Sequence, residues 1–592
     1  MKYITHTLFL FLLLSTIKGQ SQNISDQNNT FSVVDFTLSS DNKVVYMAQK
    51  DTKSVVCYQT ATQEKVHTWN FNDTPTGITI YKNKLYVTTS YSKGMLYRID
   101  LLTDMVEDSI RVGMGACDPT INKNGTEVIV CNRYTNKIAK ISLPNFKHIA
   151  SCEVEREPNH VVYSKDEKYL FVTNFLPCQR ADIDTVAADL SVIDAGKMKV
   201  VKQIKLTNGS NALRDMVLTP DGKYLLVTHN LGRFQVPTSQ LQQGWMNTSA
   251  MSVIDIQTLD LLGTVLLDES DHGAAGTWGV DCDDHQIIVT HSGTHDMSVI
   301  DYVGFIEKFE KLEDKESLSY DLRFLNGIRE RISLDGNGPR NVVLNDGKVW
   351  VMTYFSDRLN CYNIADKHLQ SYAMNPDFKT SIVRHGEQLF NDASYCLESW
   401  QSCNGCHPSD ARTDGMNWDL LNDGIGNPKN CKSMLYSHRT APAMITGIRP
   451  DAETAVRAGF QHIQFAKVSD SEAKAVDAYL KSLIPLPSPY LVNGELSKRA
   501  QKGEKLFVKF NCNYCHSGSL FTDGKMHRIG EVEFEKGWDT PTLVEVWRTG
   551  PYLFDGRAKT IEEIFSVHHH GLKGKKVKKK DIEYLSEYVK SL

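Results

Sequence analysis

The pattern of apolar and polar positions changes character near residue 380. Before it, from about residue 30 to residue 375, one β pattern recurs. "NKLYVTTSYSKGMLYRIDLLT" begins at Asn83, "EKYLFVTNF" at Glu167, "GKYLLVTHN" at Gly222, "HQIIVTHSGTHDMSVIDY" at His285 and "GKVWVMTYFSDRLNCYNI" at Gly347. Each has a polar turn, an apolar run rich in β-branched and aromatic residues that ends near Val-Thr, a loop, and a second run that often reads Ser-Val-Ile-Asp. The runs make seven units, mostly about forty residues apart, which is propeller spacing. No unit could bury its strands alone, so the units must stack radially. Two β-sandwiches fit the regular period less well. The expected fold class is multidomain: an all-β seven-bladed propeller over 28–376, then an all-α tandem domain.

After residue 380 the pattern becomes helical and repeats again. "DAYLKSL" ends at Leu483 and "SEYVKSL" at Leu592, an offset of 109 residues, and Glu562 follows Glu453 by the same offset. "GEQLF" at 386 and "GEKLF" at 503 open the two copies. The copies are expected over 380–484 and 491–592, with the Pro-rich "IPLPSPY" at 484–490 as a stiff hinge between them. Propeller and helical halves, each with its own core, are expected to separate near 375–385.

The same offset links two chemical motifs. Cys403, Cys406 and His407 of "CNGCH" are matched by Cys512, Cys515 and His516 of "CNYCH", and Thr413 and Thr522 open a Thr-Asp-Gly in each copy. Two thiols on one turn can form thioether bonds to the vinyl groups of a haem, with the next histidine beneath the iron as proximal ligand. Zinc wants two Cys-x-x-Cys pairs close together, and a redox Cys-x-x-Cys needs neither the histidine nor the repeat. Two covalently attached haems c are therefore expected, held by those four cysteines, with His407 and His516 on the irons.

Compartment and composition agree with this. Lys2, the apolar run Leu8 to Leu14 and the small Gly19 read as a secretory signal over 1–19, and no other apolar run is long enough to span a bilayer. Export to the periplasm or cell surface follows. With 592 residues, 41% of them hydrophobic, the chain can bury several cores, and a net charge of −5 argues against a nucleic-acid partner. The basic run "KGKKVKKK" at 573–580 reads as a solvated loop or as a docking patch for an acidic partner.

Residues 380–592 resemble the di-haem cytochrome c peroxidase superfamily, on "CNYCHSGSLFTDGKMH" and "DTPTLVEVWRTGPYLFDGRAKTIEEI" in copy 2 and a more divergent version in copy 1. The β units resemble the YVTN propellers, and the whole resembles exported proteins that join the two. The resemblance implies a sixth iron ligand after "DGRA": His568 in copy 2, with His570 and Met526 as rivals. In copy 1 it implies His462, as iron ligand or as catalytic base. It also implies an electron-donor or acceptor redox protein, a small oxidant such as peroxide, and a structural calcium to which no residue is assigned. Copy 1 departs from the family at Ile445-Thr446-Gly447-Ile448, where a Trp-Asp-Gly-Arg stretch is usual. The tryptophan between the haems and the active-site arginine are thereby missing, which puts peroxide turnover in doubt; Trp418 and Trp547 remain as aromatic bridges.

His160, Arg214, Trp278 and Arg340 fall where propeller channels open, and His229, His291 and His295 follow Val-Thr positions and could converge. Turn-forming and satisfied polar roles are the favoured reading of both sets, since a scattered histidine set without a fixed local spacing is a weak metal signal. The long excursions at 175–190 and 230–249 are candidates for a partner surface or lid. Of nine further cysteines, Cys57 with Cys361 could staple the ring shut and Cys396 with Cys431 could flank the first motif. The expected function is electron transfer with peroxidase-like oxidoreductase activity, the propeller acting as docking platform. The alternatives are a pure electron carrier with both irons six-coordinate, and oxidation of a ligand bound by the propeller.

Overall fold

The computed structural model describes residues 24–25, 28–90, 93–235, 246–419, 428–529 and 535–592. The expected signal at 1–19 and part of the second excursion lie outside them. Seven four-stranded antiparallel sheets, over 33–70, 75–111, 116–153, 158–205, 210–266, 277–333 and 339–373, form the blades of a propeller. Within each blade the strands follow chain order. The Val-Thr run is the second strand and is buried nearly throughout, as in Lys84–Thr89 and Gln286–His291, because neighbouring blades cover both its faces. The fourth strand lies outermost and is largely exposed, as in Met105–Arg111. One apolar cluster after another fills the space between blades.

Polar side chains stitch the blades together. Asp35, Asp118, Asp215 and Asp281 each accept a backbone N–H from a following blade, at Ile78, Val161, Val280 and Leu344. The threonines that end the Val-Thr runs donate likewise: Thr228 Oγ1 to the Trp278 carbonyl at 2.5 Å, and Thr290 Oγ1 to that of Arg340. No strand is exchanged between the first and last blades. They close through an apolar cluster and through Asp357, which accepts from the N–H groups of Phe31 and Ser32. The expected Cys57–Cys361 staple is not made. Cys57 packs between blades 1 and 2 and Cys361 between blades 7 and 1, so each is a small apolar filler in a different core, and both are free thiols.

The helical half is a duplication in space as in sequence. Helices Ile382–Asn391 and Asp470–Ser482 pack in copy 1 as Lys498–Lys509 and Lys579–Lys590 do in copy 2. The opening glycine of each copy permits this: a Cβ on Gly386 would sit 1.8 Å from the Ala475 carbonyl oxygen, and one on Gly503 would sit 1.9 Å from that of Tyr584. The strand pair Asn417–Trp418 with Lys429–Asn430 recurs as Met526–His527 with Trp538–Asp539. The Lys481–Glu453 ion pair recurs as Lys590–Glu562.

The halves are not joined by a free hinge. Arg156 of the propeller donates to the carbonyls of Arg548 and Gly550, each at 2.6 Å, and Arg548 lies 3.5 Å from the buried Glu157. Arg548 also pairs with Glu545, which pairs with Arg412 of copy 1. The excursion at 175–190 is spent on the same interface, where Ala181 N–H bonds the Gly556 carbonyl and Val186 packs with Met416 and Trp418. The Pro-rich segment is pinned as well, by Leu486 N–H to Glu545 and by Ser488 to the Lys590 carbonyl. The two halves thus meet across a polar interface as well as through the chain at 375–385. Among the described residues no helix is long and apolar enough to cross a membrane.

Candidate functional site

Each Cys-x-x-Cys-His forms a single tight turn. Cys403–Gly405 and Cys512–Tyr514 are 3₁₀ turns, closed by the N–H of His407 on the Cys403 carbonyl and that of His516 on the Cys512 carbonyl, both at 3.0 Å. The next bond is also common to both copies. His407 Nδ1 lies 3.0 Å from the Arg412 carbonyl oxygen and His516 Nδ1 lies 3.1 Å from that of Phe521. A carbonyl only accepts, so Nδ1 carries the proton and Nε2 keeps its lone pair, the tautomer a metal ligand needs. Burial pushes both imidazoles below their ordinary pKa, which keeps them neutral. The thiols are free, and burial pushes Cys403 up to about 12 and Cys512 up to about 11.

The copies differ in what surrounds these turns. In copy 1, Gln464 donates to Cys403 Sγ at 3.1 Å, and Asn247, a propeller residue, donates to Cys406 Sγ at 3.3 Å. Cys431 does not pair with Cys396; both are free thiols, and Cys431 Sγ lies 3.5 Å from His407 Nδ1. In copy 2 the turn lies near the surface, with Tyr514 75% exposed.

The sixth-ligand expectations need correction. The ring facing His516 belongs to His570, at 6.4 Å between ring centres and 52° between planes. His568, the residue expected there, is half-buried as His570 is, but among the described residues it makes no ring contact with His516. The helix Ile561–Ser566 ends early, and His569 at φ 48° turns the chain so that the third histidine comes back over the site. Burial first, and His516 second, push His570 down to about 4. Two imidazoles on one metal, with bonds of about 2.0–2.1 Å, hold their ring centres roughly 6.3 Å apart. The spacing of His516 and His570 therefore fits a haem iron between them. Met526, the other rival, packs against Gly447 of copy 1.

His462 does not face His407. It is exposed at the C-terminal end of helix Ala452–His462, two positions past the buried Phe460 and so on nearly the opposite helix face. Among the described residues no imidazole faces His407 as His570 faces His516.

The propeller histidines do not converge either. His229 and His291 are buried and bonded to Ser252 and Ser298 of their own blades, and His295 lies 3.1 Å from Asp392. His160 does reach the channel, where it bridges Asp118 at 3.1 Å and Asp215 at 3.0 Å. Burial alone would lower its pKa, yet the two carboxylates raise it to about 10. Pattern reading missed Gln464, Asn247 and the Arg412–Glu545–Arg548–Glu157 chain. None has a local sequence signal, because each is defined by a partner far along the chain.

The class defined by fold and site is a seven-bladed propeller fused to a duplicated helical module, each copy of which presents two thiols and a neutral histidine on one turn. No family model matches the chain. It is similar to hydrazine synthase subunit gamma of Kuenenia stuttgartiensis, 25% identical over 277 residues, which cover 36% of this chain and 78% of that protein. It is also similar to hydrazine synthase subunit beta of the same organism, 26% identical over 195 residues, 31% of this chain and half of that protein's length. A solved chain of Kuenenia stuttgartiensis hydrazine synthase matches 58% of this chain over 99% of its own length, with a TM-score of 0.52 at 20% identity, a likeness of fold.

Proposed function

We propose that the chain is an exported haem oxidoreductase that carries two covalently attached haems c in unequal roles. The observation that carries this reading is the pair of Cys-x-x-Cys-His turns with identically held histidines, only one of which is faced by a second imidazole. Bound haem would supply an iron that exchanges electrons and, where one axial position is free, a place for a small molecule. In copy 2, His516 and His570 would hold the iron between them. Two imidazoles favour the ferric state and a low potential, which suits a relay. The exposed Tyr514 and the lysines at 573–580 give that copy an accessible edge for an acidic redox partner.

In copy 1, His407 would hold the iron from one side, and Gln464 and Asn247 donate to the two cysteine sulfurs. Substrate chemistry is assigned here. The missing Trp-Asp-Gly-Arg stretch disfavours peroxide, and the similarity to two hydrazine synthase subunits favours a small nitrogen compound. Both relatives are named as subunits of one enzyme, so further subunits are the expected partners of this chain. His462, exposed and remote, has no catalytic role in this reading.

The haem content is the test. The purified protein should carry two haems that survive acid extraction, and Cys403→Ala with Cys406→Ala should leave one, as should Cys512→Ala with Cys515→Ala. One haem in the unmodified protein would refute the reading.

A further inference from the structure

The axial channel of the propeller contains a cavity of about 740 Å³. Its wall at one end is copy 1, through Asn404, Ser409 and Asp410, so the cavity adjoins the first Cys-x-x-Cys-His turn. Three arginines line it: Arg133, Arg214 and Arg340.

Buried arginines elsewhere in this protein are paired. Arg384 has Glu387 at 2.7 Å, Arg412 has Glu545 at 2.8 Å, Arg548 has Glu545 at 3.1 Å, and Arg156 has backbone carbonyls. Arg133 has Glu157 at 2.9 Å. Arg214 and Arg340 are the exceptions: among the described residues neither guanidinium meets a carboxylate or a hydrogen-bond acceptor, and Arg340 Nε is buried with no partner. Both are held by aromatic rings instead. Arg214 lies 4.7 Å from the Phe175 ring centre and 4.0 Å from that of Trp278; Arg340 lies 4.1 Å from Trp278 and 3.5 Å from Tyr354. The backbones of Trp278 and Arg340 are fixed in turn by the Thr228 and Thr290 bonds.

The nearby carboxylates other than Asp410 are already engaged. Asp118 and Asp215 hold His160, Asp35 accepts from Ile78 N–H and from Asn341, and Glu387 holds Arg384. Asp410 opens onto the cavity from the opposite wall, where the charges of Lys50 and Arg412 outweigh its burial and keep it ionised. Burial first, then the like charges of Arg133 and Arg340, push Arg214 well below its ordinary pKa while Asp410 opposes them, so an anion here would relieve a cost that the fold offsets only in part. The forked, planar guanidinium matches planar oxyanions two bonds at a time. The volume is ample for a small ligand.

We propose that this cavity is a binding site for a small planar oxyanion of single charge, a carboxylate or an inorganic oxyanion, gripped by Arg214 and Arg340 beside copy 1. Calorimetric titration of the haem-loaded protein with acetate and with nitrate, in chloride-free buffer, tests it. One-to-one saturable binding of at least one anion is expected; preference for acetate marks a carboxylate ligand and preference for nitrate an inorganic one. Arg214→Gln and Arg340→Gln should each weaken it by roughly tenfold or more, the loss of a charge-assisted pair. Arg214→Lys, which keeps the charge but not the fork, should bind with intermediate affinity and guards against a variant that fails to fold. Absence of saturable binding by either anion, or unchanged affinity in the folded variants, would overturn the proposal.

Discussion

Trp418 and His527 occupy the same place in the two copies, and each donates at 2.8 Å to the aspartate of its Thr-Asp-Gly. The outcomes are opposite. Asp414, buried against the propeller, is pushed up to about 7 by burial. Asp523 feels less burial, and the His527 bond brings it below the ordinary carboxylate range. The same contrast runs through the turns: Cys406 is touched by a propeller side chain, whereas Tyr514 faces solvent. One duplicated backbone thus serves two environments. What distinguishes the copies is the surface each is pressed against, together with a few substitutions that suit it.

The strongest way to break this arrangement is to cut the tie between the copies. Glu545→Ala leaves Arg412 buried without its carboxylate and Arg548 with Glu157 alone, so unfolding stability should fall by about 3–5 kcal/mol, read from denaturant melts. Symmetry of the scaffold is tested next. Gly386→Ala and Gly503→Ala each drive a Cβ into a helix carbonyl, and each should cost about 1–3 kcal/mol. A large cost in one copy and none in the other would deny the shared packing.

The aspartates give a smaller effect with opposite signs. Asp414 has a raised folded pKa, so the folded state binds the extra proton and stability falls as pH rises from about 4 through about 7. Asp414→Asn should therefore gain stability over the native protein as pH rises to 8. Asp523 has a lowered folded pKa, and the stability it contributes is present above the unfolded value and lost on acidification. Asp523→Asn should accordingly lose stability at neutral pH and converge with the native protein in acid. Melts across pH 4–8 read the first, and melts carried below pH 4 read the second.

Much of this was legible in the sequence. The 109-residue offset predicted a duplication that the structure repeats down to the strand pairs, and the Val-Thr runs predicted the blades. The interface was not legible. Glu157, Arg412, Glu545 and Arg548 are charged, and pattern reading sends charged residues to the surface unless a distant partner is known. His570 was obscured because a left-handed residue in a three-histidine run decides which ring turns inward. His462 is different, since its helical phase relative to Phe460 was available and pointed outward.

The central claim, that the two sites are unequal because only His516 is faced by a second imidazole, rests most directly on carbon monoxide binding to the reduced protein. The native protein should bind it at one haem, in copy 1, and His570→Ala should bind it at two, while His568→Ala and His462→Ala behave as native. Binding at neither haem or at both in the native protein, or a second site opened by His568→Ala and not by His570→Ala, would contradict the account.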